Sequence, residues 1–143
     1  MSKIAVVYWS ATGNTEAMAN AIGEGIQSAG CEAEVCTVSE FDAASLSSYD
    51  KVAFGCPAMG AEVLEEDEFE PFFSSVESSL SGKTVALFGS YGWGDGQWMR
   101  DWQDRVTAAG ATLYNGEGLI VNDAPDDGAI EECKAFGAGL AQS

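Results

Sequence analysis

The chain has 143 residues, which suits one ordinary domain that buries roughly two thirds of its unfolded surface without a metal or disulfide staple. Six Lys plus Arg against 23 Asp plus Glu give a formal charge of -17 at pH 7, which disfavours nucleic acid and anionic membranes as partners. That charge favours a partner rich in Lys and Arg, with solubility or adaptation to salt as the simpler explanation.

Residues 3–9 are apolar on both faces rather than alternating, which predicts an interior parallel strand. This apolar run stops after about seven residues, too short for a membrane span and without a cleavage-like segment, so a cytoplasmic location is expected. The polar stretch Ser10-Ala11-Thr12-Gly13-Asn14-Thr15 follows, and a helical period then takes over across residues 14–28. Met18, Ile22 and Ile26 are spaced four apart, Ala19 and Ala29 widen the stripe, and Gly30 marks the stop.

Residues 32–38 read as a second strand nearer an edge, followed by a polar connection around Phe41 and Leu46. Residues 51–56 form a third strand, ended by Pro57 because proline has no N–H for the ladder. Ala58-Met59-Gly60-Ala61-Glu62 then projects from its carboxyl end. From Glu62 to Glu70 six of nine residues are acidic, which favours a helix start, and residues 69–76 are helix-like with Pro71 in the first turn.

A fourth strand over residues 83–89 leads into Ser90-Tyr91-Gly92-Trp93-Gly94-Asp95-Gly96-Gln97. The helix over residues 98–109 turns Met99, Trp102, Val106 and Ala109 inward, and Gly110 stops it. Residues 111–121 predict a fifth strand interrupted by a bulge or bend at 115–118. A last helix runs from Asp126 or Asp127 to Leu140, with Ile130, Cys133, Gly137 and Leu140 along one face and Phe136 adjoining it. Five β-α repeats call for a parallel sheet with helices on both faces.

In such a sheet the first, third and fourth strands end on one edge, where a topological switch opens a crevice. Their loops bring hydroxyls and helix N–H groups, then Met59 and Gly60, then Tyr91, Trp93 and Trp98. Each loop alone has a simpler explanation: a helix cap, a gap-filling methionine, an aromatic lid packed on its own domain. Together they suit a flat aromatic ring joined to a phosphate. Cys31, Cys36, Cys56 and Cys133 form no CxxC pair and there is no histidine, so reduced thiols without chemistry are expected.

On these motifs the whole chain resembles flavodoxin, in its short-chain branch. The family is itself a standard example of a doubly wound sheet in the order 2-1-3-4-5 with FMN at the switch point. The resemblance implies one FMN-binding domain over residues 1–143. It implies that Ser10, Ala11, Thr12, Gly13, Asn14 and Thr15 form the phosphate loop. Met59 and Trp93 would flank the ring, Glu62 would receive N3–H, and the Gly60 carbonyl would turn toward N5–H after one-electron reduction. Pro57, Ala58, Ser90, Tyr91, Gly92, Gly94 and Trp98 complete the implied site.

The resemblance further implies a low-potential one-electron carrier shuttling between semiquinone and hydroquinone, a monomer with no catalytic group, no metal and no membrane insertion. Its partners would be low-potential oxidoreductases with basic patches, docked through Glu65, Glu66, Asp67, Glu68 and Glu70, unless that run is only a solvated helix start. A module that has lost flavin and a flavin-dependent reductase are the alternatives. A phospho-acceptor domain would need acidic residues where the first strand ends in Tyr8-Trp9-Ser10.

Overall fold

The computed structural model describes residues 3–10, 13–59, 63–92, 94 and 96–143. Its elements in chain order are β1 (Lys3–Tyr8), α1 (Asn14–Ser28), β2 (Glu32–Thr37), β3 (Lys51–Gly55), α2 (Phe69–Glu77), β4 (Thr84–Tyr91), α3 (Gln97–Ala108), β5 (Thr112–Leu113), β6 (Leu119–Asn122) and α4 (Asp127–Gln142). The strands are parallel in the order β2-β1-β3-β4-β5, with β6 also pairing β4.

β5 and β6 share the fifth position. β5 pairs with β4 at Thr84 and Val85, and β6 resumes from Phe88 to Tyr91. Between them lies a 3-10 turn, Tyr114–Gly116, in which Asn115 (φ 65°) and Gly116 (φ 75°) are left-handed. That turn is the interruption expected at residues 115–118.

The alternating side chains of the central strands build two cores. On one face Ile4 and Val6 of β1, with Ala53 and Ala86, pack under Met18, Ile22 and Ile26 of α1 and Cys133 and Leu140 of α4. On the other face Ala5, Val7, Val52, Phe54, Val85 and Leu87 pack under α2 and α3. Phe69 and Phe73 of α2 meet the Trp102 ring edge-on at 5.3 and 5.7 Å. The connection after β2 is less polar in space than in sequence: Phe41 and Leu46 are buried there, and Ala43–Ser48 winds into a 3-10 helix capped by Asp42.

α1 and α4 approach until backbone meets backbone. A Cβ on Gly137 would lie 2.1 Å from the Ile22 carbonyl oxygen, and one on Gly25 would lie 1.9 Å from that of Lys134. No described helix is long and apolar enough to cross a membrane.

Candidate functional site

The register Tyr8↔Gly55 and Gly55↔Phe88 brings the carboxyl ends of β1, β3 and β4 to one edge of the sheet. A cleft of about 240 Å³ opens there. Ser10, Asn14 and Thr15 line one side of it, and Pro57, Ala58 and Met59 another. Ser90, Tyr91 and Gly92 close the third side.

The first wall is the start of α1, whose N-cap residue has no side chain to offer. Gly13 is the N-cap at φ 93°, a left-handed conformation that suits glycine, and no side-chain oxygen accepts from the first turn through that cap. Ser10 Oγ instead accepts the N–H of Gly13 at 3.1 Å and of Glu16 at 3.3 Å, which leaves its hydroxyl hydrogen to donate. Hydroxyl and helix N–H donors facing one cleft are chemically suited to a phosphate.

Below this loop the Tyr8 hydroxyl donates to Glu16 Oε2 at 3.0 Å. Burial, followed by that hydrogen bond, pushes the Tyr8 phenol up to about 12, so it remains a donor at neutral pH. Thr15 is buried, and its hydroxyl pairs with that of Ser90 at 3.1 Å. This contact ties the start of α1 to the end of β4.

The second wall prolongs the β3–β4 ladder past Gly55, with Cys56 N–H on the Phe88 carbonyl and Ala58 N–H on that of Ser90, both at 3.1 Å. Met59 and Val63 then close an antiparallel bridge through N–H···O bonds of 2.9 and 3.0 Å.

Trp98 is buried beneath the second and third walls instead of lining the cleft. Its Nε1 donates to the Cys56 carbonyl at 3.1 Å, and the Tyr91 ring lies 5.7 Å away. Gly94 (φ 89°) turns the chain toward α3. The anticipated residues Ala11, Thr12, Gly60, Glu62 and Trp93 lie outside the described residues.

Asp123 also lines the cleft and was missed from sequence. It follows β6 at φ 56°, and its N–H donates to the Tyr91 carbonyl at 2.7 Å. The signal that could have found it is positional: Asn122-Asp123-Ala124-Pro125 closes a strand beside β4 at this same edge. Among the described residues no Lys or Arg lines the cleft.

The acidic run does not present every carboxylate to solvent. Glu65 is 6% exposed and accepts the N–H groups of Asp67, Glu68 and Phe69 at 2.7–2.8 Å. Burial alone would raise its pKa, but these three donors hold it below the usual carboxylate value. Glu70 is clamped by two N–H groups of Arg105 at 2.7 and 3.0 Å, and Arg105 lies over the Phe73 ring at 4.9 Å. Glu66, Asp67 and Glu68 are exposed.

A family model described as Flavodoxin matches residues 6–137. The flavodoxin of Clostridium beijerinckii is 48% identical over 136 residues, spanning 95% of this chain and 97% of that one. The flavodoxin of Megasphaera elsdenii is 44% identical over 140 residues, spanning 98% and 99%. Among solved structures, two-electron reduced Megasphaera elsdenii flavodoxin superposes with a TM-score of 0.88 at 43% identity, over 98% of this chain and 99% of that one. A flavodoxin from the domain Archaea gives 0.89 at 30% identity, over 98% and 96%.

Proposed function

The chain belongs to the flavodoxin family, whose members are FMN-based electron carriers rather than catalytic enzymes, and we propose that it is a low-potential one-electron carrier for redox partner proteins. The observation that supports this reading most is the meeting of the α1 start, with its Ser10 hydroxyl, and the Met59 wall in one cleft at the switch point. Bound FMN supplies the redox chemistry, taking up and releasing electrons one at a time.

The residues divide the work. Ser10 would donate its hydroxyl to the FMN phosphate and the backbone N–H groups of Asn14 and Thr15 would join it, with Ala11 and Thr12 completing the loop as the resemblance implies. By the family resemblance Met59 and Trp93 would flank the ring, Glu62 would accept from its N3–H, and the Gly60 carbonyl would accept from N5–H. Ser90 and Tyr91 wall the cleft, while Trp98 braces Cys56 from below. Among the described residues no cation lines the cleft to offset negative charge gathered there, so carboxylates within roughly 10 Å raise its energy. Each 1.4 kcal/mol of that cost lowers a one-electron potential by about 59 mV.

Flavin fluorescence titrations of the apoprotein test the site. FMN is expected to bind at least about tenfold more tightly than riboflavin, and Ser10→Ala to weaken FMN about tenfold while leaving riboflavin unchanged. Equal affinity for the two flavins, or no binding of either, contradicts the reading.

A further inference from the structure

Among the described residues the buried polar side chains are Thr15, Glu65 and Ser90, and Glu65 is the one charged member. Thr15 and Ser90 pair with each other in the cleft wall, whereas Glu65 lies behind it. Both Glu65 carboxylate oxygens are occupied: Oε1 accepts the N–H groups of Glu68 and Phe69, and Oε2 that of Asp67. The Glu65 backbone is held as well. Its N–H donates to Cys56 Sγ at 3.4 Å and its carbonyl accepts Glu70 N–H at 2.8 Å. Glu65 therefore joins three pieces: the end of β3, the start of α2, and the chain that leaves the Met59–Val63 bridge two residues earlier.

We infer that Glu65 is a positioning residue for the cleft, its carboxylate fixing the downstream leg of the Met59–Val63 bridge so that Met59 stands at a set distance from the flavin ring. The inference rests on the FMN reading above. The upstream leg is already fixed by Ala58 on the β4 ladder. The downstream leg is held at Glu65, where the backbone ties it to Cys56 and the carboxylate ties it to the start of α2.

The sign of the effect on FMN affinity separates positioning from charge. Removing a carboxylate from a chain of charge -17 relieves repulsion against the FMN phosphate, so Glu66→Gln and Glu68→Gln bind FMN as tightly as the wild type or more tightly. Glu65→Gln removes the same unit of charge and keeps the side-chain size, but its amide nitrogen replaces one of the two accepting oxygens and leaves at least one backbone N–H without an acceptor. This variant is expected to bind FMN about tenfold more weakly.

The FMN-loaded variants supply a second readout. If the first electron enters with a proton, the cleft's net charge would be unchanged, so a missing remote charge would leave the upper of the two one-electron potentials in place, whereas a displaced wall would move it. Glu65→Gln should shift that potential and Glu66→Gln should not. Amide hydrogen exchange on the same proteins should show faster exchange at residues 63–69 in Glu65→Gln, and Glu65→Asp should restore part of the affinity.

Unchanged FMN affinity and an unchanged upper potential in Glu65→Gln, with faster exchange at residues 67–69, overturn the inference and reduce Glu65 to a helix cap. Failure of the wild type to take up FMN overturns the functional reading itself, and the inference falls with it.

Discussion

Glu65 carries a charge in a place where burial should expel one, and the three backbone N–H groups around it explain why it stays ionised. Its pKa is lower in the folded chain than in the unfolded one. The stabilisation it gives is therefore complete above the unfolded value, about 4.3, and disappears as the pH falls through the folded value. Urea unfolding is expected to show wild type more stable than Glu65→Gln by about 1–3 kcal/mol at pH 7, with the difference closing below about pH 4. A difference that stays constant across this range would mean that the carboxylate's charge is not what the N–H groups read. Glu70 behaves likewise, since its hydrogen bonds from Arg105 hold its pKa down, so comparing the two proteins at each pH isolates Glu65.

At the scale of elements, the site stands on the α1–α4 contact. α1 presents its N-terminus to the cleft, and its seat depends on Gly25 and Gly137 having no side chain. Gly137→Ala gains helix propensity of about 1 kcal/mol but forces a methyl group against the Ile22 carbonyl, and overpacking costs about 1–3 kcal/mol. Because the obstacle is backbone, overpacking should win. Thermal or urea unfolding is expected to show a net loss of stability, and FMN affinity should fall with it as α1 shifts. A stabilised Gly137→Ala variant would contradict the packing described.

The elements themselves were legible in sequence because each follows from a short-range pattern. The both-face apolar runs gave the strands, the four-residue spacing of Met18, Ile22 and Ile26 gave α1, and Asn115-Gly116 marked the break in the fifth strand. What local pattern cannot carry is contact between distant segments. Phe41 and Leu46 look like a connection until α2 covers them. Trp98 looks like a site aromatic until the Cys56 carbonyl is seen to hold its Nε1 under the cleft. Asp123 lies on the site because β6 pairs with the far end of β4, 31 residues earlier for the Asn122–Tyr91 contact. Glu65 looks like one more exposed acid in a run of them.

For the whole molecule, the charge of -17 acts at a distance that contacts do not. In moderate salt the screening length is about 10 Å, so the exposed Glu66, Asp67 and Glu68 are felt by a basic partner mainly during approach. Replacing all three by their amides is expected to lower the association rate with a Lys- and Arg-rich oxidoreductase and to flatten its dependence on ionic strength, as read by stopped-flow. An unchanged rate and salt slope would remove this face from docking.

Anaerobic spectroelectrochemical titration of the FMN-loaded protein tests most directly whether the cleft makes FMN a low-potential one-electron carrier. Two resolved one-electron steps are expected, the second well below the corresponding step of free FMN. A single two-electron transition, or a second step no lower than that of the free flavin, would contradict it.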